Sequence, residues 1–221
     1  FDIKRLIIEL IDGLSFFQEL TMQLLHVDSS ILGPNSVSRM LTREIVDGEL
    51  RRHPDLKVVY RDVAADPLDH ISGLTVAAMF GNADLPPAAA DDFARGSAAL
   101  EEFLASDIYV IGAPMYNFTI PTQLKAWIDR VVVAGKTFKY GPNGAEGLVV
   151  GKKMIVASTR GGAYGPQTGY GSLDHQETYL QAIFGFIGFK KIDFVQAEGL
   201  KMTDHREKSI NSARAQIASM V

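Results

Sequence analysis

Five short apolar runs, at 23–28, 56–63, 108–113, 153–159 and 192–197, recur along the chain with helix-spaced segments between them. That alternation is the strongest constraint on the fold. Strands joined through helices cannot pair as hairpins, so each returns to the sheet parallel to the last. The run at 108–113 is apolar at nearly every position, the pattern of a strand buried on both faces. Right-handed crossovers then leave few arrangements. The expectation is an α/β chain with a doubly wound five-stranded parallel sheet of order 2-1-3-4-5 and helices on both faces.

Apolar spacing locates the helices. Residues 36–52 carry Val37, Met40, Leu41, Ile45, Val46 and Leu50 at helical intervals, with Asn35 or Ser36 as the cap. Residues 91–105 place Phe93, Leu100, Phe103 and Leu104 inward. A third helix spans about 121–134, where Pro121 suits the first helical position because its fixed φ fits and its missing N–H costs nothing. Two more follow at 175–187 and 204–220. The stretch 64–90, broken by Pro67, Pro86 and Pro87 around an apolar piece at 74–80, reads as an insertion. Residues 136–144 read as a turn-rich loop holding Phe138 and Tyr140. Residues 1–21 mix apolar side chains with Lys4, Arg5, Glu9, Asp12 and Glu19, too charged for a membrane span and without the layout of a secretory signal. They are expected to be an extension outside a functional domain at 22–221.

With 221 residues, 47% of them hydrophobic and 22% charged, the chain suits one domain with a full core. A net charge of −4 gives no footprint for a nucleic-acid backbone or an anionic membrane, which points to small-molecule partners. Cysteine is absent, which excludes disulfides, thiolate metal sites and cysteine nucleophiles, and is compatible with a cytoplasmic protein. The histidines, His26, His53, His70, His175 and His205, are scattered and form no metal-ligand pair. No G-x-S-x-G elbow, G-x-G-x-x-G fingerprint or P-loop occurs.

In the expected topology the loops after the first, third and fourth strands emerge at one edge of the sheet. The first loop, with Ser30, Ser36, Val37 and Ser38, offers hydroxyls and unpaired N–H groups at a helix start, where the dipole favours an anion. Capping of the helix alone also accounts for these serines. The second loop offers an amide, Asn117, between the apolar surfaces of Met115, Tyr116 and Phe118, a setting for a planar heteroaromatic ring. The third, with Thr159, Arg160, Gly161 and Gly162, brings N–H donors close and adds the positive charge of Arg160, although a simple tight turn accounts for this Arg-Gly-Gly equally well.

The series Pro114-Met115-Tyr116-Asn117-Phe118, Gln123-Leu124-Lys125, Arg160-Gly161-Gly162, Gly185-Phe186-Ile187-Gly188 and Ala197-Glu198-Gly199 resembles the FMN-dependent NADH:quinone oxidoreductases, also called azoreductases, of the flavodoxin-like superfamily. The resemblance runs from about Met22 to the end of the chain. It implies that Ser30, Ser36, Val37 and Ser38 hold the FMN phosphate, that Met115, Tyr116, Asn117 and Phe118 line the isoalloxazine, and that Thr159, Arg160, Gly161 and Gly162 contact its pyrimidine side. One departure is Thr159, where many relatives carry serine. It also implies a ping-pong enzyme that uses NADH or NADPH to reduce quinones and cleave azo compounds, with no side chain as an indispensable acid or base. A homodimer is implied too, with Tyr140 and Phe186 near the substrate face and the 64–90 insertion shaping the acceptor pocket or the subunit contact. Asn117 and Phe118 are expected to orient the acceptor, and His175 lies close enough in sequence to approach the flavin. A flavodoxin-type electron carrier would call for an acidic rim, against which stand Lys136, Lys139, Lys152 and Lys153. A carrier-protein phosphodiesterase would need a metal or nucleophile that the sequence does not offer.

Overall fold

The computed structural model describes residues 22–81, 84–165 and 168–221. The expectation for residues 1–21 lies outside the described residues. Five strands, β1 (Gln23–Asp28), β2 (Lys57–Asp62), β3 (Ile108–Pro114), β6 (Lys153–Thr159) and β7 (Ile192–Ala197), form a parallel sheet of order β2-β1-β3-β6-β7. With the separate hairpin of β4 (Phe138–Gly141) and β5 (Gly144–Gly147) set aside, this is the order expected from the sequence.

Alternate residues of each strand feed two cores on opposite faces. On one face Leu25, Val27, Tyr109 and Ile111 pack with Phe103 of α3 (Pro87–Ala105), Trp127 of α4 (Thr122–Val131) and Phe184 of α5 (Glu177–Ile187). On the other Leu24, Val110, Ile155 and Val195 pack under Leu41 and Ile45 of α1 (Val37–Arg52) and Ile217 of α6 (Arg206–Met220). A short helix, α2 (Gly73–Met79), stands before α3. The central strands β1 and β3 are buried throughout, whereas the edge strand β2 is partly exposed.

Several local expectations need correction. Helix α3 begins at Pro87, not at residue 91, so the insertion is shorter than it reads; Pro87 supplies a pre-set φ at the first helical position. Phe103 is fully buried but Leu104 is exposed, since neighbours on a helix point about 100° apart and only one can face the sheet. Pro121 is the N-cap of α4 with ψ 146°, and its carbonyl accepts from Lys125 at 3.0 Å. The helix stops at Val131, where the Thr137 hydroxyl donates to the Val131 carbonyl at 3.0 Å and accepts from the Val133 N–H at 2.8 Å. Residues 138–147 form a hairpin rather than a plain loop.

Strand register fixes where ligands can bind. Asp62 pairs with Asp28, Asp28 with Gly112, Pro114 with Thr159 and Thr159 with Ala197, so the carboxyl ends of all five strands form one rim.

Candidate functional site

Three loops leave that rim side by side and are tied to one another. The Met115 N–H donates to the Thr159 carbonyl at 2.7 Å, joining the loops after β3 and β6. The Tyr116 hydroxyl accepts from the Ile31 N–H at 3.2 Å and lies 3.5 Å from the Ser30 hydroxyl, joining the loops after β1 and β3. Between them lies a cavity of about 700 Å³, within the size range of cofactor sites. Ser30, Ser36, Val37, Met115, Tyr116, Asn117, Phe118, Thr159, Arg160, Gly161 and Gly162 all line it. Ser38 does not: it is buried beneath the loop with its hydroxyl 3.0 Å from that of Ser36. Another concavity, about 1060 Å³, flanks the outer side of the same turn, but its walls alternate Arg39, Arg43 and Arg206 with Glu44, Asp47 and Asp62 and, among the described residues, offer no aromatic surface to a ring.

At the first loop a single 3₁₀ turn, Gly33–Asn35, leads into α1, and the Ser36 hydroxyl accepts from the Arg39 N–H at 3.3 Å. The N–H groups of Val37 and Ser38 lie in the first turn, above which no helical carbonyl stands. Arg39 holds the loop from outside: its guanidinium grips Asp62 at 2.6 and 2.8 Å and donates to the Ser30 carbonyl at 2.7 and 3.1 Å. Asp28 sits beneath, accepting from Thr42 at 2.8 Å and from the Tyr60 hydroxyl at 3.1 Å. Burial works to raise the Asp28 carboxyl, but bonding and charge from His26, Thr42 and Arg39 outweigh it and hold the group below its ordinary value. Asp62 follows the same balance, with burial opposed by Arg39 and the amides of Ala65 and Ala64. Burial and these two carboxylates push Tyr60 up to about 12. Gly112 leaves Asp28 its space, because a Cβ there would stand 2.9 Å from Asp28 Oδ1.

At the second loop Tyr116 and Thr119 bond to each other through both backbone pairs, at 2.8 and 3.2 Å. The residues between them, Asn117 and Phe118, have φ of 49° and 72°. This is the two-residue turn that needs left-handed backbone at both positions, where Asn-Gly is usual. Phe at the second position is strained, and it is held there because the His175 N–H donates to the Phe118 carbonyl at 3.0 Å and the ring meets Tyr164 edge-on at 6.0 Å. His175 thus reaches the site through its backbone and does not line the cavity.

The third loop departs from expectation at Arg160. Its side chain is 1% exposed and faces Asp174 at 2.7 Å, Glu198 at 3.0 Å and Glu177, while donating to the Ser158 hydroxyl at 2.9 Å. Three carboxylates absorb its charge, so Arg160 is a brace under the loop and offers no positive charge to the cavity. Gly161 and Gly162 give their carbonyls to the N–H groups of Lys201 and Gly199, at 3.0 and 2.8 Å. Their own N–H groups make no backbone bond among the described residues.

Sequence reasoning missed Leu32, Asn35, Tyr164, Leu200, Lys201 and Arg206, all cavity-lining. Lys201 and Arg206 are its cations once Arg160 is spent. For Leu200, Lys201 and Arg206 the signal was available: β7 neighbours β6, so the loop after β7 leaves the same rim. Tyr140 and Phe186 do not line the cavity; Tyr140 is 76% exposed and meets Phe138 edge-on, and Phe138 meets Phe186 at a tilt. Three of the four lysines read as a basic cluster are matched by acids: Lys139 by Glu146, Lys152 by Asp107 and Lys153 by Glu49. No described helix is long and apolar enough to cross a membrane.

A family model described as flavodoxin-like fold matches residues 22–221. The chain is 53% identical over 193 residues to a Bradyrhizobium diazoefficiens protein named FMN-dependent NADH:quinone oxidoreductase 2, covering 87% of this chain and 95% of that one. It is 50% identical over 200 residues to the FMN-dependent NADH:quinone oxidoreductase of Sinorhizobium fredii, with 89% and 96% covered. The crystal structure of an azoreductase from Bacillus anthracis matches with a TM-score of 0.80 at 28% identity, over 90% of this chain and 98% of that chain.

Proposed function

Because the chain belongs to the flavodoxin-like family of FMN-dependent NADH:quinone oxidoreductases, we propose that it binds FMN in the three-loop cavity and uses NADH for two-electron reduction of quinones and reductive cleavage of azo compounds. The observation that carries this reading is the convergence of serine hydroxyls at a helix start, aromatic surface and glycine amides on one cavity of about 700 Å³. That donor set fits a phosphate at one end and a flat, polar-edged ring at the other.

Ser30, Ser36 and the first-turn amides of Val37 and Ser38 bind the phosphate, with Arg206 adding charge from α6. Met115, Tyr116 and Phe118 supply the surface against the ring, and the Asn117 amide bonds its edge. The backbone N–H groups of Gly161 and Gly162 would hold the polar edge of the ring, donors fixed in place that need little reorganisation, and the Lys201 ammonium would add positive charge beside them. When bound, FMN brings a two-electron relay that takes hydride from NADH and passes two electrons on to the acceptor. A quinone consumes one NADH and one proton; cleaving an azo bond to two amines consumes two of each. Donor and acceptor would occupy the same cavity in turn, a ping-pong order that Asn117 and Phe118 would serve by orienting each guest. NADPH is the alternative donor.

The functional unit is 22–221, working as a homodimer in the cytoplasm. The exposed rings of Tyr140 and Phe186, either side of the half-buried Phe138, support the dimer, as do the exposed apolar side chains Ile71, Leu74, Val76 and Phe80 on and around α2. The test is direct. Purified protein carries yellow FMN and oxidises NADH when an acceptor such as menadione is supplied; protein that takes up no FMN on reconstitution would falsify the reading.

A further inference from the structure

A smaller cavity, about 180 Å³, lies between α2, α3 and α4, away from the three loops. Met79, Phe93, Leu100 and Val133 make its apolar walls. Two cations share it. Lys136 stands exposed on the rim and has no carboxylate within ion-pair distance among the described residues. Arg130 stands inside with its side chain 1% exposed.

The Arg130 guanidinium is only half used. Nη2 bonds to the Asp92 carboxylate and donates to the Asp69 carbonyl at 3.1 Å. Nε and Nη1 are buried with no partner among the described residues. Nη1 borders a notch kept open by Gly96, where an added Cβ would stand 3.1 Å from it. Buried donors are nearly always met, so an orphaned guanidinium edge beside a cavity marks the place of a missing acceptor. Water alone answers poorly, since a buried water needs two to four polar partners and these walls are mostly hydrocarbon. A multiply charged anion is also disfavoured, because Asp92, shared between Arg130 and Arg95, already offsets part of the positive charge.

We propose that this cavity is a binding site for a small monocarboxylate, whose head is held by Arg130 Nη1 and the Lys136 ammonium and whose short alkyl tail rests on Met79, Phe93 and Leu100. A carboxylate oxygen gives the guanidinium a charge-assisted partner. The apolar walls select a short chain over a bare ion. The site is independent of the flavin cavity and of the reading given for it.

Sodium butyrate is titrated by calorimetry into the FMN-loaded full chain, with sodium chloride holding ionic strength constant and 1-butanol as the neutral control. The expected result is saturable one-site binding of butyrate at least about tenfold tighter than butanol, weakened about tenfold in Lys136→Gln. That variant keeps its quinone reductase rate, because Lys136 touches nothing in the central site. Gly96→Ala, which fills the notch at Nη1, abolishes the binding. No heat beyond the chloride baseline overturns the proposal. So does butanol binding as tightly as butyrate, or butyrate binding unchanged in Lys136→Gln.

Discussion

The Tyr116 hydroxyl lies 3.2 Å from the Ile31 amide nitrogen, so the loop expected to carry the flavin ring holds the loop expected to carry its phosphate. Two halves of one site are thereby set at a fixed separation. Tyr116→Phe removes this bond and keeps the ring surface. A hydrogen bond of this kind contributes about 0.5–1.5 kcal/mol, so FMN affinity, read by fluorescence quenching, should fall roughly two- to tenfold. An unchanged Kd would show that the two loops are positioned independently.

Phe118 carries backbone strain as well as an aromatic face, and two substitutions separate the contributions. Phe118→Gly loses the contact with Tyr164 but takes a φ of 72° without penalty; Phe118→Ala loses the contact and keeps the strain. The glycine variant should therefore be more stable than the alanine variant by about 1 kcal/mol in urea unfolding. Both should reduce menadione more slowly than the unsubstituted protein. Equal stabilities would mean that the turn relaxes when the ring is removed.

Strand boundaries were legible because burial dictates them: β1, β6 and β7 fall where the apolar runs end. The cap at Ser36 was legible because its chemistry is local, a hydroxyl three residues before the amide it serves. The hairpin β4–β5 was not, since its residues are mostly exposed and bury no face that would impose alternation. At the site, the residue types on the three loops could be read, but Arg160 could not. Its partners stand 14, 17 and 38 positions away, so nothing next to it in sequence reveals that its charge is consumed. Lys201 and Arg206 escaped for the related reason that only the pairing of β6 with β7 brings their segment to the cavity, and Tyr164 because it lies two residues beyond the glycines in the loop after β6.

Arg160 and Lys201 should respond in opposite ways to loss of charge. Arg160→Gln leaves Asp174, Glu177 and Glu198 facing one another without a cation, and breaking a buried pair in this manner costs about 3–5 kcal/mol. Lys201 is exposed, so Lys201→Met should change stability by no more than about 0.5 kcal/mol. Its cost should fall on turnover, about tenfold in kcat/KM for quinone, if its ammonium supports charge at the edge of the cavity. Denaturant unfolding and steady-state kinetics on both variants decide the matter: a stable Arg160→Gln protein would refute the bracing role, and full activity in Lys201→Met would refute the electrostatic one.

Acid should loosen the first loop in a defined direction. Asp28 and Asp62 both lie below the ordinary carboxylate value of 3.8 in the folded protein, with burial opposing the shift and, for each, hydrogen bonds and neighbouring charge prevailing. A depressed carboxyl contributes stability above its unfolded value and loses it as pH falls through its folded one. Apo-protein stability should therefore hold near neutrality and begin to fall below about pH 4 as unfolded chains take up protons first. Asp62→Asn leaves Arg39 only the more distant carboxylate of Asp28, at 3.7 Å, so its grip on the Ser30 carbonyl weakens even at neutral pH. That variant should bind FMN more weakly than the unsubstituted protein at pH 7 and should show a shallower loss of stability on acidification, because one of the two titrating groups is gone. Parallel acid profiles for the two proteins would place the acid-sensitive contacts elsewhere in the fold.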